Sequence, residues 1–178
     1  EGHEIGNHSK SHPYLSQMSA AAPQQEIADS QAAISSATGV TPRSCAYPYG
    51  SYNATVTSVA AQYFRSCRTT EGGQNTASTD HYTLATFYVH TSTTGAMIRA
   101  AVDQAKANGT WLILCYHGVG VADGGYGDDV DGPTFQSHLD DSPAGVAGRG
   151  FDDHHGPRFS DERASPVFIG DQPHAIDR

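Results

Sequence analysis

The stretch "TWLILCYHGVG" at positions 110–120 places the strongest constraint on the fold of this chain. Its residues 111–116 are almost continuously apolar, and the run stops at His117-Gly118. An uninterrupted apolar run of this length is typical of a strand buried on both faces of a parallel sheet. The rest of the chain must therefore supply neighbouring strands and covering helices.

The preceding segments alternate in the way that such a sheet requires. Apolar spacing, capping residues and breakers predict helices over 23–37, 53–63 and 96–107. Composition rich in β-branched and aromatic residues predicts strands over 44–47, 63–69 and 82–90. This alternation predicts an α/β fold with mainly parallel strands, in which ligands bind at the carboxyl ends of the strands.

Size and charge narrow the classes of function. The chain has 178 residues, 37% of them hydrophobic, which suits one domain with a core over 1–140. The net charge of −9 would repel phosphate groups, so we expect neither nucleic acid nor an anionic membrane surface as a partner. No 18-residue apolar run predicts a membrane span. Residues 141–178 are rich in Gly, Pro and Asp and predict an irregular, low-order tail.

The three cysteines do not indicate a metal knuckle. Cys45, Cys67 and Cys115 share no CxxC pair, and they predict neither a zinc knuckle nor a disulfide framework. Their redox state stays open at this stage.

The first candidate site is "NHSKSHP", in which His8 and His12 lie four residues apart. On a helical turn both imidazoles would lie on one face and reach the same metal ion. Ser9 and Ser11 would then serve as supporting hydrogen-bonding groups. The alternative is a pair of surface histidines on a polar loop.

Two further features carry possible chemistry. His117 follows the buried run, where it would act as a general acid or base or only hydrogen-bond to a loop. In "AYPYGSYN", Pro48 and Gly50 predict a tight turn that would point a backbone N–H into a cleft. The tyrosines of this segment, Tyr47, Tyr49 and Tyr52, would form a wall for a sugar ring or lie half-buried in an ordinary turn.

Taken in order, "GHEIGNHSKSHPYL", "CAYPYGSYN" and "TWLILCYHGVG" resemble the second, third and fifth motifs of the NodB-homology polysaccharide deacetylases, carbohydrate esterase family 4. The segment "NHSKSHP" fits the H-[ST]-x-x-H-P metal motif of that family, and the third motif is of the YPYG type. The resemblance runs from about residue 1 to residue 140.

The resemblance implies an incomplete, distorted (β/α) barrel and a set of site residues. His8 and His12 would be ligands of one divalent metal, with zinc expected and cobalt or nickel as alternatives. The backbone N–H of Tyr49 would hold the developing oxyanion, with Tyr47 and Pro48 also in the substrate site. His117 would protonate the departing amine. The substrate would be an N-acetylated polysaccharide of the chitin, poly-N-acetylglucosamine or peptidoglycan type.

The sequence departs from the family pattern at its start. The T-F-D-D-G motif, which supplies an aspartate ligand and an aspartate base, should precede His8 by tens of residues, whereas only seven precede it. We therefore expect a fragment that lacks the first strand of the barrel and is weakly active or inactive. Asp152 and Asp153 in "GFDDHHG" superficially match this motif, but no apolar strand precedes them.

Two other functions stay open from the sequence. The same site would allow an O-acetyl esterase acting on xylan, and the tyrosine-rich turn would allow a non-catalytic carbohydrate-binding relic. The resemblance also implies an extracellular or cell-envelope location. The oligomeric state is not predicted.

Overall fold

The computed structural model describes residues 4–120 and 129–140. The helices are α1 (Ala22–Thr38), α2 (Ala54–Tyr63), α3 (Gly95–Asn108) and α4 (Gly132–Asp140). The strands are β1 (Ser44–Ala46), β2 (Ser66–Gly72), β3 (Leu84–Tyr88), β4 (Leu114–Cys115), β5 (Gly118–Val119) and β6 (Asp129–Val130).

The strand pairing confirms the predicted α/β class. The first four strands form one sheet in the order β1-β2-β3-β4, and β5 and β6 form a parallel pair. Strand β1 runs parallel to β2, and β3 runs parallel to β4. Helix α2 lies between β1 and β2 in the chain, and α3 lies between β3 and β4. Parallel strands connected through helices are the arrangement of an incomplete (β/α) barrel.

Local capping explains why the three predicted helices begin where they do. Pro23 lies in the first turn of α1, where its missing N–H has no helical partner to lose. The Asn53 side chain accepts a hydrogen bond from the N–H of Val56 at 3.0 Å and caps α2. Thr94 accepts from the N–H of Met97 at 3.3 Å and caps α3 in the same way.

The apolar run at 110–120 is buried as predicted but pairs over a shorter length. Residues 111–116 are all buried, whereas only Leu114 and Cys115 form β4. Within β3, Phe87 and Tyr88 are the residues that pair with β4. Trp111 instead forms an antiparallel bridge with Asn75.

The described residues divide into two compact units. The first unit holds the residues up to Glu71 together with Thr79–Ala85, and the second holds Gly72–Ser78 and the residues from Thr86 onward. The core of the first unit gathers Leu15, Ile27, Cys45, Tyr47, Val56, Val59, Ala60, Phe64 and Cys67. The core of the second unit gathers Val89, Ile98, Val102, Ala105, Leu112, Leu114, Tyr116 and Val130. The second unit also contains β5, β6 and α4, which the sequence patterns did not predict.

The prediction that the cysteines form no disulfide framework is wrong in one respect. Cys45 and Cys67 form a disulfide, and they are directly opposed residues of the parallel pair β1–β2. Opposed residues of neighbouring strands have Cβ atoms close enough for a disulfide to form between them. The spacing of the cysteines in the sequence does not predict this pairing. Cys115 is a buried thiol.

Within residues 4–120 and 129–140, no helix is long and apolar enough to cross a membrane. The predicted low-order tail at 141–178, with its Asp152-Asp153 pair, lies outside the described residues.

Candidate metal and substrate site

The two predicted metal ligands converge. The Nε2 atoms of His8 and His12 lie 3.1 Å apart, and both rings are partly buried. The expected helical turn is wrong, however, because residues 8–12 form a loop. Left-handed backbone at Ser9 (φ 66°) and His12 (φ 56°) turns this loop so that the two rings meet. Such conformations are unfavourable for residues other than glycine and cluster at functional sites.

A hydrogen bond on the side of the His8 ring away from His12 fixes the orientation of this ring. Its Nδ1 lies 2.8 Å from the backbone carbonyl oxygen of Ala46, so that Nδ1–H donates to this carbonyl. The remaining nitrogen, Nε2, is therefore the basic one and faces His12. A carbonyl or carboxylate that receives the second ring N–H is the usual support of a metal-binding histidine.

Burial of the His12 ring favours the form that can bind a cation. Burial lowers the pKa of His12, which favours the neutral imidazole with a free electron pair, although its backbone hydrogen bond opposes this shift in part. The N–H of His12 donates to Ser9 Oγ at 3.0 Å, which holds the loop closed. Ser9 thus supports the loop through its hydroxyl, while its predicted role beside a metal ion stays a prediction.

Two residues that the sequence analysis did not single out anchor this loop. Asn7, with only 2% of its surface exposed, accepts from the N–H of Ser9 and donates to the carbonyl of Ile27. Glu26 on α1 accepts from the N–H groups of Lys10 and Ser11 at 3.1 and 2.9 Å, and from the Ser11 hydroxyl at 2.8 Å. Apart from the local bond between Ser9 and Asn7, these contacts join positions far apart in the chain, so no local sequence pattern predicts them.

The predicted tight turn after β1 lies beside the histidines. Tyr49 (φ 56°) and Gly50 (φ 62°) are both left-handed, and the Gly50 N–H donates to the Tyr47 carbonyl at 2.9 Å. The rings of Tyr49 and His12 meet edge to face with centroids 4.5 Å apart. Gly50 packs so closely on Thr70 that a Cβ would overlap its hydroxyl.

The tyrosines of this turn differ in their exposure to solvent. Tyr47 is 1% exposed and donates its hydroxyl to the Tyr82 carbonyl at 3.0 Å, so its ring belongs to the core and not to an open wall. Burial also raises the pKa of Tyr47. Pro48 is buried as well, and Tyr52 is half-buried with its hydroxyl donating to Glu71. Tyr49, at 45% exposed, presents its ring to solvent.

His117 belongs to the second compact unit. It follows β4 and is half-buried. Its Nε2 lies 3.3 Å from the Tyr88 hydroxyl, and the two rings are 4.9 Å apart. The predicted position at a strand end is therefore confirmed, while the predicted catalytic role stays a prediction.

The paired imidazoles fit a metal ion. Two nitrogens at about 2.0–2.1 Å from one zinc ion lie about 3.3 Å apart in tetrahedral geometry, and about 2.9 Å apart at a right angle. The observed 3.1 Å falls between these values. Within residues 4–120 and 129–140, no third His, Cys, Asp or Glu joins them in one group. The described residues thus supply two of the three protein ligands that a catalytic zinc site usually has.

The described residues form an incomplete (β/α) fold in which one loop brings two oriented imidazoles together. Residues 1–64 match the family model described as polysaccharide deacetylase. The match confirms the predicted resemblance to this family over residues 1–64.

Solved structures of similar proteins include three bacterial examples. A polysaccharide deacetylase from Bacillus cereus is 20% identical with a TM-score of 0.51, over 55% of this chain and 31% of its own, which shows a shared fold. A Streptococcus pyogenes deacetylase is 28% identical (TM-score 0.44), over 45% of this chain and 36% of its own. A family 4 carbohydrate esterase from Streptomyces lividans is 28% identical (TM-score 0.41), over 57% of this chain and 46% of its own. The chain thus spans less than half the length of each of these proteins.

Proposed function

We propose that this chain is part of an enzyme that removes N-acetyl groups from an N-acetylglucosamine-containing polysaccharide with the help of a divalent metal ion. The observation that carries the proposal is the 3.1 Å approach of the two Nε2 atoms of His8 and His12. The polysaccharide deacetylase match over residues 1–64, which contains both histidines, supports it.

His8 and His12 would hold the ion, which we propose to be zinc, with cobalt or nickel as alternatives. When bound, such an ion polarises an amide carbonyl and makes a coordinated water more acidic. The Ala46 carbonyl keeps the His8 electron pair directed at the site, and burial, which lowers the pKa of His12, favours its neutral form. The lowered pKa reduces the competition between protons and metal for the His12 imidazole.

Hydrolysis adds water to the acetamide carbonyl, breaks the C–N bond and yields acetate and a free amine. The proposed donor to the carbonyl oxygen, which becomes negative as water adds, is the backbone N–H of Tyr49. The turn that contains Tyr49 supports this role because its left-handed backbone and the close packing of Gly50 on Thr70 hold the peptide in one orientation. The role proposed for His117, donation of a proton to the departing amine, rests on its sequence motif alone.

The proposed location is outside the cytoplasm. Disulfides persist mainly in oxidising compartments, and the Cys45–Cys67 disulfide supports this location. A polysaccharide substrate of the cell envelope or of the surroundings would be met there. The net charge of −9 would attract, and not repel, the cationic product chain.

The test is acetate release from chitopentaose by the complete natural protein that carries this sequence. We expect release that is lost in excess chelator, restored by Zn²⁺ or Co²⁺, and reduced at least about a hundredfold in His8→Ala and His12→Ala. His81→Ala, which removes an exposed imidazole outside the loop, is the matched control.

Three results would contradict the proposal. Acetate release that is unaffected by chelator would exclude the metal. Release from acetylxylan but not from chitopentaose would identify an O-acetyl esterase. Oligosaccharide binding without acetate release at any protein concentration would identify a non-catalytic binding protein.

A further inference from the structure

The most exposed aromatic surface of the first unit is a stacked pair of tyrosines. Tyr14 and Tyr49 lie nearly parallel, with ring centroids 4.1 Å apart and planes inclined by 11°. They are 50% and 45% exposed. Because each ring covers one face of the other, the exposed area of Tyr14 lies on its second face and its rim.

This pair continues directly from the paired histidines. The rings of His8 and His12 are 4.9 Å apart, His12 and Tyr49 are 4.5 Å apart, and Tyr49 and Tyr14 follow at 4.1 Å. Ring contacts therefore connect the proposed metal ligands, through Tyr49, to the half-exposed Tyr14.

The residues that precede and follow Tyr14 in the chain restrict its backbone. Pro13, which precedes it, has a fixed φ, and Leu15, which follows it, is buried in the core of the first unit. An exposed aromatic ring with a rigid backbone loses little conformational freedom when a ligand packs on it.

We propose that Tyr14 and Tyr49 form a pyranose-binding subsite, in which the open face of Tyr14 packs against the C–H face of a sugar ring next to the one that is deacetylated. The negative face of an aromatic ring suits the weakly positive C–H groups of a pyranose, and the tyrosine hydroxyl stays in water. The proposal rests on the proposed function and narrows its substrate to a chain of two or more sugar units.

A competing role would be purely structural: Tyr14 would hold Tyr49, and hence its backbone N–H, in place. The two roles differ in the kinetic constant that they affect. Loss of a platform that binds a neighbouring sugar weakens substrate binding and raises KM. Loss of a support for the oxyanion donor lowers kcat.

The experiment combines binding and kinetics in the complete natural protein. Chitopentaose is titrated by calorimetry in the presence of EDTA, and acetate release from chitopentaose is measured with Zn²⁺. Tyr14→Ala removes the ring, Tyr14→Leu keeps an apolar side chain of similar bulk, and Tyr14→Phe keeps the ring without its hydroxyl. We expect Ala and Leu to weaken binding and raise KM by about fivefold to tenfold, with a smaller change in kcat, and Phe to stay within about twofold of the natural protein.

The outcomes separate this proposal from the proposed function. Unchanged affinity in Tyr14→Ala, or a fall in kcat at constant KM, would overturn the subsite even in an active deacetylase. Equal losses in Tyr14→Phe and Tyr14→Ala would also overturn it, because the hydroxyl and not the ring face would then bind. Ring-dependent binding without any acetate release would support the subsite while contradicting the proposed function. Circular dichroism spectra of all three variants check that each is folded.

Discussion

At the scale of single residues, the site is built from backbone conformations that most side chains avoid. Among the described residues, the non-glycine positions with positive φ are Ser9, His12 and Tyr49, and all three lie at the proposed site. Each would cost about 1–2 kcal/mol in an unconstrained chain. Hydrogen bonds from neighbouring groups hold the loop in place, as the bond from the His12 N–H to Ser9 Oγ shows.

Gly50 offers a direct test of how closely this turn is packed. Gly50→Ala should lower the free energy of unfolding by about 2–4 kcal/mol, because the left-handed backbone disfavours a Cβ and the Cβ would overlap the Thr70 hydroxyl. Gly39→Ala is the matched control: Gly39 is also left-handed, at φ 73°, but a Cβ there meets nothing within 4 Å. We expect it to cost only about 1 kcal/mol. Urea unfolding measures both values, and equal losses would show that Thr70 does not confine the turn.

At the scale of elements, helix α1 anchors the loop of residues 8–12 that contains both histidines. Glu26, near the amino-terminal end of α1, accepts hydrogen bonds from two backbone N–H groups and one hydroxyl of the loop. Nearby, Asp29 pairs with the Lys10 ammonium at 2.8 Å on the exposed surface. The two acidic residues therefore contact the same loop, but only Glu26 binds its backbone.

This difference predicts unequal effects on metal binding. Glu26→Ala should weaken Co²⁺ binding, followed by visible absorption, by about tenfold or more, because the loop loses the group that fixes its backbone. Asp29→Ala should change the affinity by less than about twofold, since an exposed ion pair contributes little. Equal effects of the two variants would show that charge near the loop, and not its anchoring, controls metal affinity.

The elements also show what the sequence could and could not predict. The starts of α2 and α3 were predicted because Asn53 and Thr94 cap their helices within three residues, a purely local interaction. The Cys45–Cys67 disulfide was missed because it depends on the register between β1 and β2, which no local pattern specifies. The site residues His8 and His12 were found through a motif, whereas Glu26 contributes through contacts between positions far apart in sequence.

At the scale of the whole molecule, stability depends on a small sheet and one covalent link. The Cys45–Cys67 disulfide joins positions 22 residues apart and encloses the Tyr49 turn and helix α2. A loop of that length corresponds to about 3 kcal/mol of stabilisation in the chain-entropy description of the unfolded state.

Reduction should therefore lower the free energy of unfolding by about 3 kcal/mol, measured by urea unfolding with and without a phosphine reductant. The Cys115→Ala variant controls for the buried thiol and should keep the same sensitivity to reduction. A midpoint of unfolding that does not change on reduction would show that the disulfide does not stabilise the protein.

The central claim is that His8 and His12 bind one metal ion, and thermal unfolding with and without Zn²⁺ or Co²⁺ tests it most directly. At a metal concentration about ten times Kd, we expect the melting temperature to rise by about 3–6 °C. The rise should disappear in His8→Ala and in His12→Ala and remain in His81→Ala. A melting temperature that metal does not change, or a rise that survives the loss of either loop histidine, would contradict the account.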